Sequence, residues 1–583
     1  MKKYYTDERN IQIVIALMKA HGIRFVVASP GATNVTLVGS LQQDPYFKIY
    51  SSVDERSAAY IACGIAAETG EAVALSCTGA TASRNYMPGL TEAYYRKLPI
   101  LAITSSQHTA RVGNMIPQLL DRSNIPNDIA KLSVHLPTIN CPEDEWDCTI
   151  KANRAMLELR HNGDGPVHIN LVTTYSSDFS VKELPLTRII HRYTPKDKLP
   201  EITESRVGIF VGAHLKWTEE LTSAVDYFCE KYNGAVFCDH TSNYFGKYKV
   251  LFSIVCRQET GCLLPYYPEK LIHIGEITAD YALTGISAKS KVWRVSPDGK
   301  ITDPFRKLTD VFEMDETTFF TKYNEIESKS KGTEYYQACF EKKKTVTSQI
   351  SNLPFSNPWI ASQVSNNLPA NSVLHLGILN CIRSWNCFDL PHKIQTFANT
   401  GGFGTDGCVS SLVGASLAAP EKLFFGVFGD LAFFYDMNSI GNRHIGKNLR
   451  ILIINNGRGT EFRNYNHHAS IFDEDTDPYI AAAGHYGNKS PELVKNYSIN
   501  LGFRYITASN KDDFLKTLPE FVNSKESDQS IIFEVFTDSE SESDAIKLLS
   551  SIEKSFSGRV KKSLKAILGY RGKTIAKNIL RKF

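Results

Sequence analysis

The twelve cysteines of this 583-residue chain include no Cys-x-x-Cys pair. That absence removes the zinc-ribbon and thioredoxin-like readings, and scattered cysteines in so long a chain read as reduced core thiols. No stretch approaches the roughly 18 uninterrupted apolar residues that a membrane span requires. The opening segment, Met1 to Asn10, lacks the apolar run of a signal peptide, so the expected location is the cytoplasm. There is no dinucleotide fingerprint either: Phe210-Val211-Gly212-Ala213-His214 offers a single glycine, and no flavin is expected. Charge of one sign is also missing. With 65 basic and 62 acidic side chains the net charge is only +3, which gives no general pull toward nucleic acid.

What is present is a rhythm. Short β-rich apolar runs at Arg24–Ala28, Ala72–Cys77 and Pro99–Ile103 are each followed by turn residues and a helix-like segment. The pattern returns at Val207–Val211, Leu271–Ile274 and Lys291–Val295, and again at Ser372–Leu376, Leu423–Phe428, Leu449–Ile454 and Ile531–Val535. Strand–helix alternation of this kind predicts an α/β fold of three doubly wound parallel-sheet domains. Proline-punctuated and charged stretches set the expected boundaries. They are 1–180 for an N-terminal domain, 190–345 for a middle domain, 355–548 for a third and 549–583 for a basic tail. The polar stretch from Glu325 to Lys344 reads as a helical connector, because Tyr335, Tyr336 and Phe340 give it an apolar face.

The strongest chemical signal runs from Gly429 to Asn456. An apolar strand ends in Gly429-Asp430, and a second ends in Asn455-Asn456-Gly457, with a helix-like stretch, Phe433 to Ile445, between them. A crossover joining two parallel strands puts both carboxyl ends on one sheet edge, where open α/β folds bind ligands. Asp430 and Asn456 then each offer a side-chain oxygen, the hard donor that Mg²⁺ prefers.

Gly-Asp followed at this distance by Asn-Asn resembles the diphosphate–Mg²⁺ motif of the thiamine-diphosphate enzyme superfamily. A second stretch resembles the pyrimidine-binding domain of its 2-oxo acid decarboxylase and carboligase branch. It comprises Ser29-Pro30-Gly31, Val53-Asp54-Glu55-Arg56, and Cys77-Thr78-Gly79 leading to Asn85. With Asn399 to Gly407 and Tyr435-Asp436-Met437-Asn438 added, the likeness is to the menaquinone-pathway 2-succinyl-5-enolpyruvyl-6-hydroxy-3-cyclohexene-1-carboxylate synthase family. The resemblance implies thiamine diphosphate and Mg²⁺ as cofactors. Asp430, the Asn456 side chain and the main-chain oxygen of Arg458 would be the metal ligands. Pro30, Glu55, Thr78, Asn85, Asn380, Gly404, Thr405, Asp406, Gly429, Leu431 and Ala432 would complete the cofactor contacts. Glu55 would be the catalytic carboxyl, hydrogen-bonded to N1′ of the aminopyrimidine and thereby promoting loss of the C2 proton. Gln118 would face the thiazolium. Active sites would lie between subunits, making a homodimer or homotetramer the working form.

Departures fall at the substrate. Thr33 stands where that family has an arginine after its Pro-Gly, and Ser105-Ser106-Gln107-His108 replaces an arginine-bearing stretch. Arg383 remains as a candidate carboxylate anchor. Losing bidentate carboxylate binders is not conservative, so the expected acceptor is less anionic than the synthase's, or absent. Thr33, His108, Arg383 and Phe462 are the candidate substrate contacts, and Arg463, Tyr465, His467 and His468 a candidate entrance or lid. The reading that follows is a carboligase that decarboxylates a 2-oxo acid and transfers the acyl-anion equivalent to a carbonyl or enone acceptor. Two alternatives stay open: a simple decarboxylase releasing an aldehyde, and a non-catalytic membrane-associated paralogue. The last draws on the tail, where Arg559 to Phe583 holds nine Lys or Arg and no acidic residue. Such a tail suits an anionic membrane surface or an acidic partner, or is simply a solvated end.

Overall fold

Runs of Val, Ile and Phe become parallel strands throughout the chain, because both faces of each sheet are covered by helices and no alternate position needs to be polar. The computed structural model describes residues 3–122, 124–215, 217–258, 260–327, 330–391, 393–485, 490–525 and 527–553. The chain divides into two units, residues 1–196 with 299–313, and residues 197–298 with 314 onward. Three parallel α/β sheets are found, as the strand–helix rhythm predicts.

The first unit is built on six parallel strands. Across the sheet they run Lys48–Ser51, Phe25–Ala28, Val73–Cys77, Ile100–Ser106, Val167–Val172 and Leu132–Leu136. Side chains alternate between faces. Leu101 and Ile103 enter a core with helices Arg9–Ala20 and Pro142–Glu158, while Ile100 and Ala102 enter another with Glu55–Thr69 and Met87–Arg96. The last two helices pack closely because both are small there: a Cβ on Gly89 would lie 2.4 Å from that of Ala59. A short parallel pair, His191–Tyr193 with Leu308–Phe312, belongs to the same unit. Beside it Arg188 reaches the buried Asp303 carboxylate at 2.6 Å.

The second unit holds five strands of the middle sheet, in the order Lys249–Leu251, Gly234–Cys238, Val207–Val211, Lys270–Ile274 and Lys291–Val295. It also holds the third sheet, in the order Gln395–Phe397, Ser372–Leu376, Leu423–Gly429, Leu449–Asn455, Ile531–Phe536 and Arg504–Ala508. Leu423–Gly429 and Leu449–Asn455 are neighbours in register, Gly429 opposite Ile454, so their carboxyl ends emerge together. The connection corrects one expectation. The helix starts at Asp430, not Phe433, and stops at Asp436, giving way to a 3₁₀ turn over Met437–Gly441. Asp436 is fixed at that break, its carboxylate accepting from the Ser410 amide at 2.5 Å and hydroxyl at 2.6 Å. The polar connector is helical over Glu334–Ser348, with Tyr335, Cys339 and Val346 buried along one side.

All twelve cysteines are free thiols and nine of them are buried. Among the described residues no helix is long and apolar enough to cross a membrane. The basic run of the tail, within 554–583, lies outside the described residues.

Candidate active site

Two clusters of the predicted residues form, one in each unit. In the second unit the strand Leu423–Gly429 delivers Asp430 to a buried position, 3% exposed. Its carboxylate accepts from the amides of Leu431 and Gly457, both at 2.8 Å. Burial outweighs these bonds and pushes its pKa up to about 7. The neighbouring strand delivers Asn456, whose Oδ1 is buried without a hydrogen-bond partner. A buried carboxylate beside an unsatisfied buried amide oxygen is a costly pairing of polar groups. It is the donor set of a hard cation, so the residues present fit the implied metal. The Arg458 carbonyl accepts from the Thr460 amide at 2.9 Å and keeps a second lone pair. The Arg458 side chain turns to Asp477 at 2.5 Å.

These groups line a cavity of about 530 Å³. Asn380, Thr405, Gly429, Leu431, Ala432, Arg458 and Phe462 line it as well. Gly404 and Asp406 sit in the turn before helix Cys408–Ala418 and do not reach the lining. One functional candidate escapes sequence reasoning. Glu542, on the helix Ser539–Ser550, lines the cavity at 1% exposure. It accepts from the Asn357 amide at 2.9 and 3.0 Å and from the Thr537 hydroxyl at 2.8 Å. Burial pushes its pKa up to about 7, and Asp430 adds to the shift. No local motif marks it; only the fold brings it to Asp430.

Arg383 is placed differently from a free anchor. It pairs with Glu461 at 2.5 Å and lines a neighbouring cavity of about 240 Å³ with Arg257 and Asn380. An incoming carboxylate would compete with Glu461 for it. Phe462 meets His467 edge-on at 5.3 Å, and His467 stacks on His468 at 4.6 Å. The Tyr465 hydroxyl donates to Asp544 at 3.1 Å, and Arg463 lies 3.9 Å from Asp477.

In the first unit Glu55 is the first residue of helix Glu55–Thr69 and is half-buried. Asp54 caps that helix by accepting from the Arg56 amide at 2.9 Å. Asn85 Nδ2 donates to Glu55 Oε2 at 3.4 Å, which joins two of the predicted residues. Pro30 is exposed in the loop after Phe25–Ala28. Thr33, by contrast, is 7% exposed and its hydroxyl is occupied. It lies 2.5 Å from the Thr78 hydroxyl, donates to the Ser105 carbonyl at 3.0 Å, and accepts from the Gly79 amide at 3.2 Å. Thr33 therefore ties its own loop to the Gly79 loop and to the end of strand Ile100–Ser106. Gln118 is exposed, with φ at +64°, and His108 is exposed, its Nδ1 accepting from the Ala110 amide at 3.1 Å.

Two tests arise directly. A Cβ on Gly31 would fall 2.5 Å from Thr78 Cβ, close to backbone and unable to swing away. Gly31→Ala should cost about 1–3 kcal/mol, read as a lower denaturation midpoint, and weaken cofactor binding through the displaced Thr78. The second concerns pH. Asp430's raised pKa means the folded, metal-free protein holds a proton that the unfolded chain loses near pH 4. The associated stability is full below about pH 4 and falls as pH rises to about 7. Asp430→Asn should flatten that fall in EDTA-treated protein, by up to about 4 kcal/mol at pH 8. Parallel melting curves for the two proteins from pH 5 to 8 would show that Asp430 is not strained by ionisation.

Asp430 and Asn456 thus meet at one sheet edge of the second unit, and Glu55 lies in the parallel α/β sheet domain of the first. A family profile described as "Thiamine pyrophosphate enzyme, N-terminal TPP binding domain" matches residues 10–125, which include Glu55, Thr78 and Gln118. A 2-succinyl-5-enolpyruvyl-6-hydroxy-3-cyclohexene-1-carboxylate synthase of Bacteroides fragilis is 30% identical over 570 residues, covering 93% of this chain and 98% of that protein. The synthase of Bacteroides thetaiotaomicron is 30% identical over 571 residues with the same shares, and that of Flavobacterium psychrophilum 26% over 556, with 90% and 95%. The chain belongs to the 2-succinyl-5-enolpyruvyl-6-hydroxy-3-cyclohexene-1-carboxylate synthase family of thiamine-diphosphate enzymes.

Proposed function

We propose that this protein is a thiamine-diphosphate- and Mg²⁺-dependent carboligase that decarboxylates a 2-oxo acid and transfers the acyl-anion equivalent to an acceptor. The observation that carries the reading is the pairing of the buried Asp430 carboxylate with the unsatisfied Asn456 Oδ1 on the floor of one cavity. Asp430, Asn456 and the Arg458 carbonyl would hold the cation, and Gly429 with the start of the helix at Asp430–Ala432 would receive the diphosphate. When bound, the cofactor supplies an electron sink for loss of the carboxyl group. The chain's own residues do the rest. Glu55 would hold a proton at N1′ of the aminopyrimidine, Asn85 donates to its carboxylate, and Phe462 supplies apolar lining to the cavity around Asp430. Glu55 of one copy would serve the Asp430 cluster of another, so the working form is a dimer or tetramer.

The substrate pocket is proposed to differ from the synthase's. The Thr33 hydroxyl is consumed in holding loops, and Arg383 is already paired. The test is product analysis with a panel of 2-oxo acids, each with and without carbonyl or enone acceptors. Acyloin or ketone products that need the acceptor support the carboligase. Free aldehyde whatever the acceptor would make the protein a decarboxylase.

A further inference from the structure

We propose that Glu461 determines which 2-oxo acid is accepted. By neutralising Arg383 it closes the cavity beside the Asp430 cluster to a second carboxylate and leaves that space to an uncharged, hydroxyl-bearing side chain. The substrate class rests on the carboligase reading, whereas the charge balance of the cavity does not. This cavity of about 240 Å³ lies within the second unit and shares Asn380 and Glu461 with the one that Asp430 and Asn456 line. A side chain carried by a substrate in one is therefore beside the other. A cavity of roughly 150 Å³ takes a benzene ring, so a substituent of about six heavy atoms fits here.

Among the described residues the ionisable side chains on the lining are Arg257, Arg383, Glu461 and His467. Each guanidinium already has its carboxylate. Arg257 lies 3.0 Å from the buried Asp280, and Arg383 lies 2.5 Å from Glu461. The second pair is held from several sides. Asn464 Nδ2 donates to Glu461 Oε2 at 3.4 Å, and the Asn380 amide, in the orientation its neighbours require, donates to the same oxygen at 2.8 Å. The Arg383 carbonyl accepts from Arg257 Nη2 at 2.8 Å.

That balance selects the ligand. A carboxylate entering the cavity is a second negative charge beside Glu461, and it reaches Arg383 only by breaking a largely buried pair. A cation would face two guanidiniums. A wholly apolar group would strip water from hydrogen-bonding groups and put nothing in its place. Donors are on offer instead. Arg257 Nε is buried without a hydrogen-bond partner. His467 Nδ1 accepts from the Ala469 amide at 3.1 Å, so its Nε2 is the ring nitrogen left to donate. Ile546 and Leu549 supply an apolar wall. A neutral chain ending in a hydroxyl satisfies both parts of this lining.

The experiment measures kcat and KM of the full-length protein, supplied with thiamine diphosphate and Mg²⁺, on three 2-oxo acids of one chain length. They are 5-hydroxy-2-oxopentanoate, 2-oxopentanoate and 2-oxoglutarate, which end in a hydroxyl, a methyl and a carboxylate. The wild type should favour the hydroxyl over the carboxylate by at least about tenfold in kcat/KM, with the methyl between them. Glu461→Gln frees Arg383 and should move that ratio toward 2-oxoglutarate by at least about tenfold, chiefly through KM. Adding Arg383→Met should reverse the gain. Calorimetry with glutarate, which has no 2-oxo group to react, should show the same tightening in Glu461→Gln. Tightening in a protein that consumes none of the three acids would sink the carboligase reading and still support the Glu461 pair as the barrier to a carboxylate. A cooperative melt shows that each variant is folded. If Glu461→Gln is not, Arg383→Gln carries the test and should widen the preference against 2-oxoglutarate. Turnover with an unmoved ratio and unmoved glutarate affinity in Glu461→Gln overturns the proposal, and so does a wild type that prefers 2-oxoglutarate.

Discussion

Glu55→Gln should bind thiamine diphosphate within about threefold of the wild-type affinity, yet slow exchange of the cofactor's C2 proton by about 10²–10⁴-fold. The two side chains have the same shape, so the Asp54 cap and the contact from Asn85 survive the change. What is lost is a group that can share a proton with a ring nitrogen. Glutamine can donate or accept a hydrogen bond but does not take up the proton. Deuterium exchange at C2, followed by NMR after acid quench, separates this from a binding defect. Wild-type exchange in Glu55→Gln would mean that another group activates the cofactor. Gln118 would not be that group, since it carries no acid or base.

The second large effect falls on Asp430. Asp430→Asn should lower Mg²⁺-dependent thiamine diphosphate affinity by at least about 100-fold, since the charged member of the two side chains offered to the cation becomes a neutral amide with one oxygen. The same substitution should stabilise the metal-free protein above pH 7, because a buried carboxylate that must ionise is replaced by a neutral amide. Opposite signs from one atom exchange distinguish a binding residue held at a cost from a structural one, whose loss would weaken both properties. Asp430→Asn that binds cofactor normally would remove the metal from this cavity. Glu542 would then be the carboxylate to test, because it lines the same space and is buried as deeply.

Much of this arrangement is legible in the sequence, and the reasons are local. Strands buried on both faces are continuous apolar runs, so Val207–Val211, Lys291–Val295 and Ser372–Leu376 begin and end where the pattern says. Lys48–Ser51 escapes notice because it is an exposed edge strand with little apolar content. Asp430 and Asn456 are readable because each directly follows its strand, and strand ends are where α/β sheets place ligand groups. Thr33 shows the limit of reading a position by likeness. Its hydroxyl is turned to the Ser105 carbonyl and the Gly79 amide, contacts that join a strand end and a loop distant in sequence. Glu542 shows the same limit from the other side, since burial in the same cavity as Asp430 is a property of the packed chain and leaves no spacing to find.

The measurement that tests the central claim most directly is calorimetric titration of the metal-free wild-type protein with thiamine diphosphate, with Mg²⁺ and then with EDTA. The account predicts saturable binding at one site per chain that requires Mg²⁺ and vanishes with EDTA. Absence of binding under both conditions would contradict it, leaving a thiamine-diphosphate fold that no longer works as an enzyme.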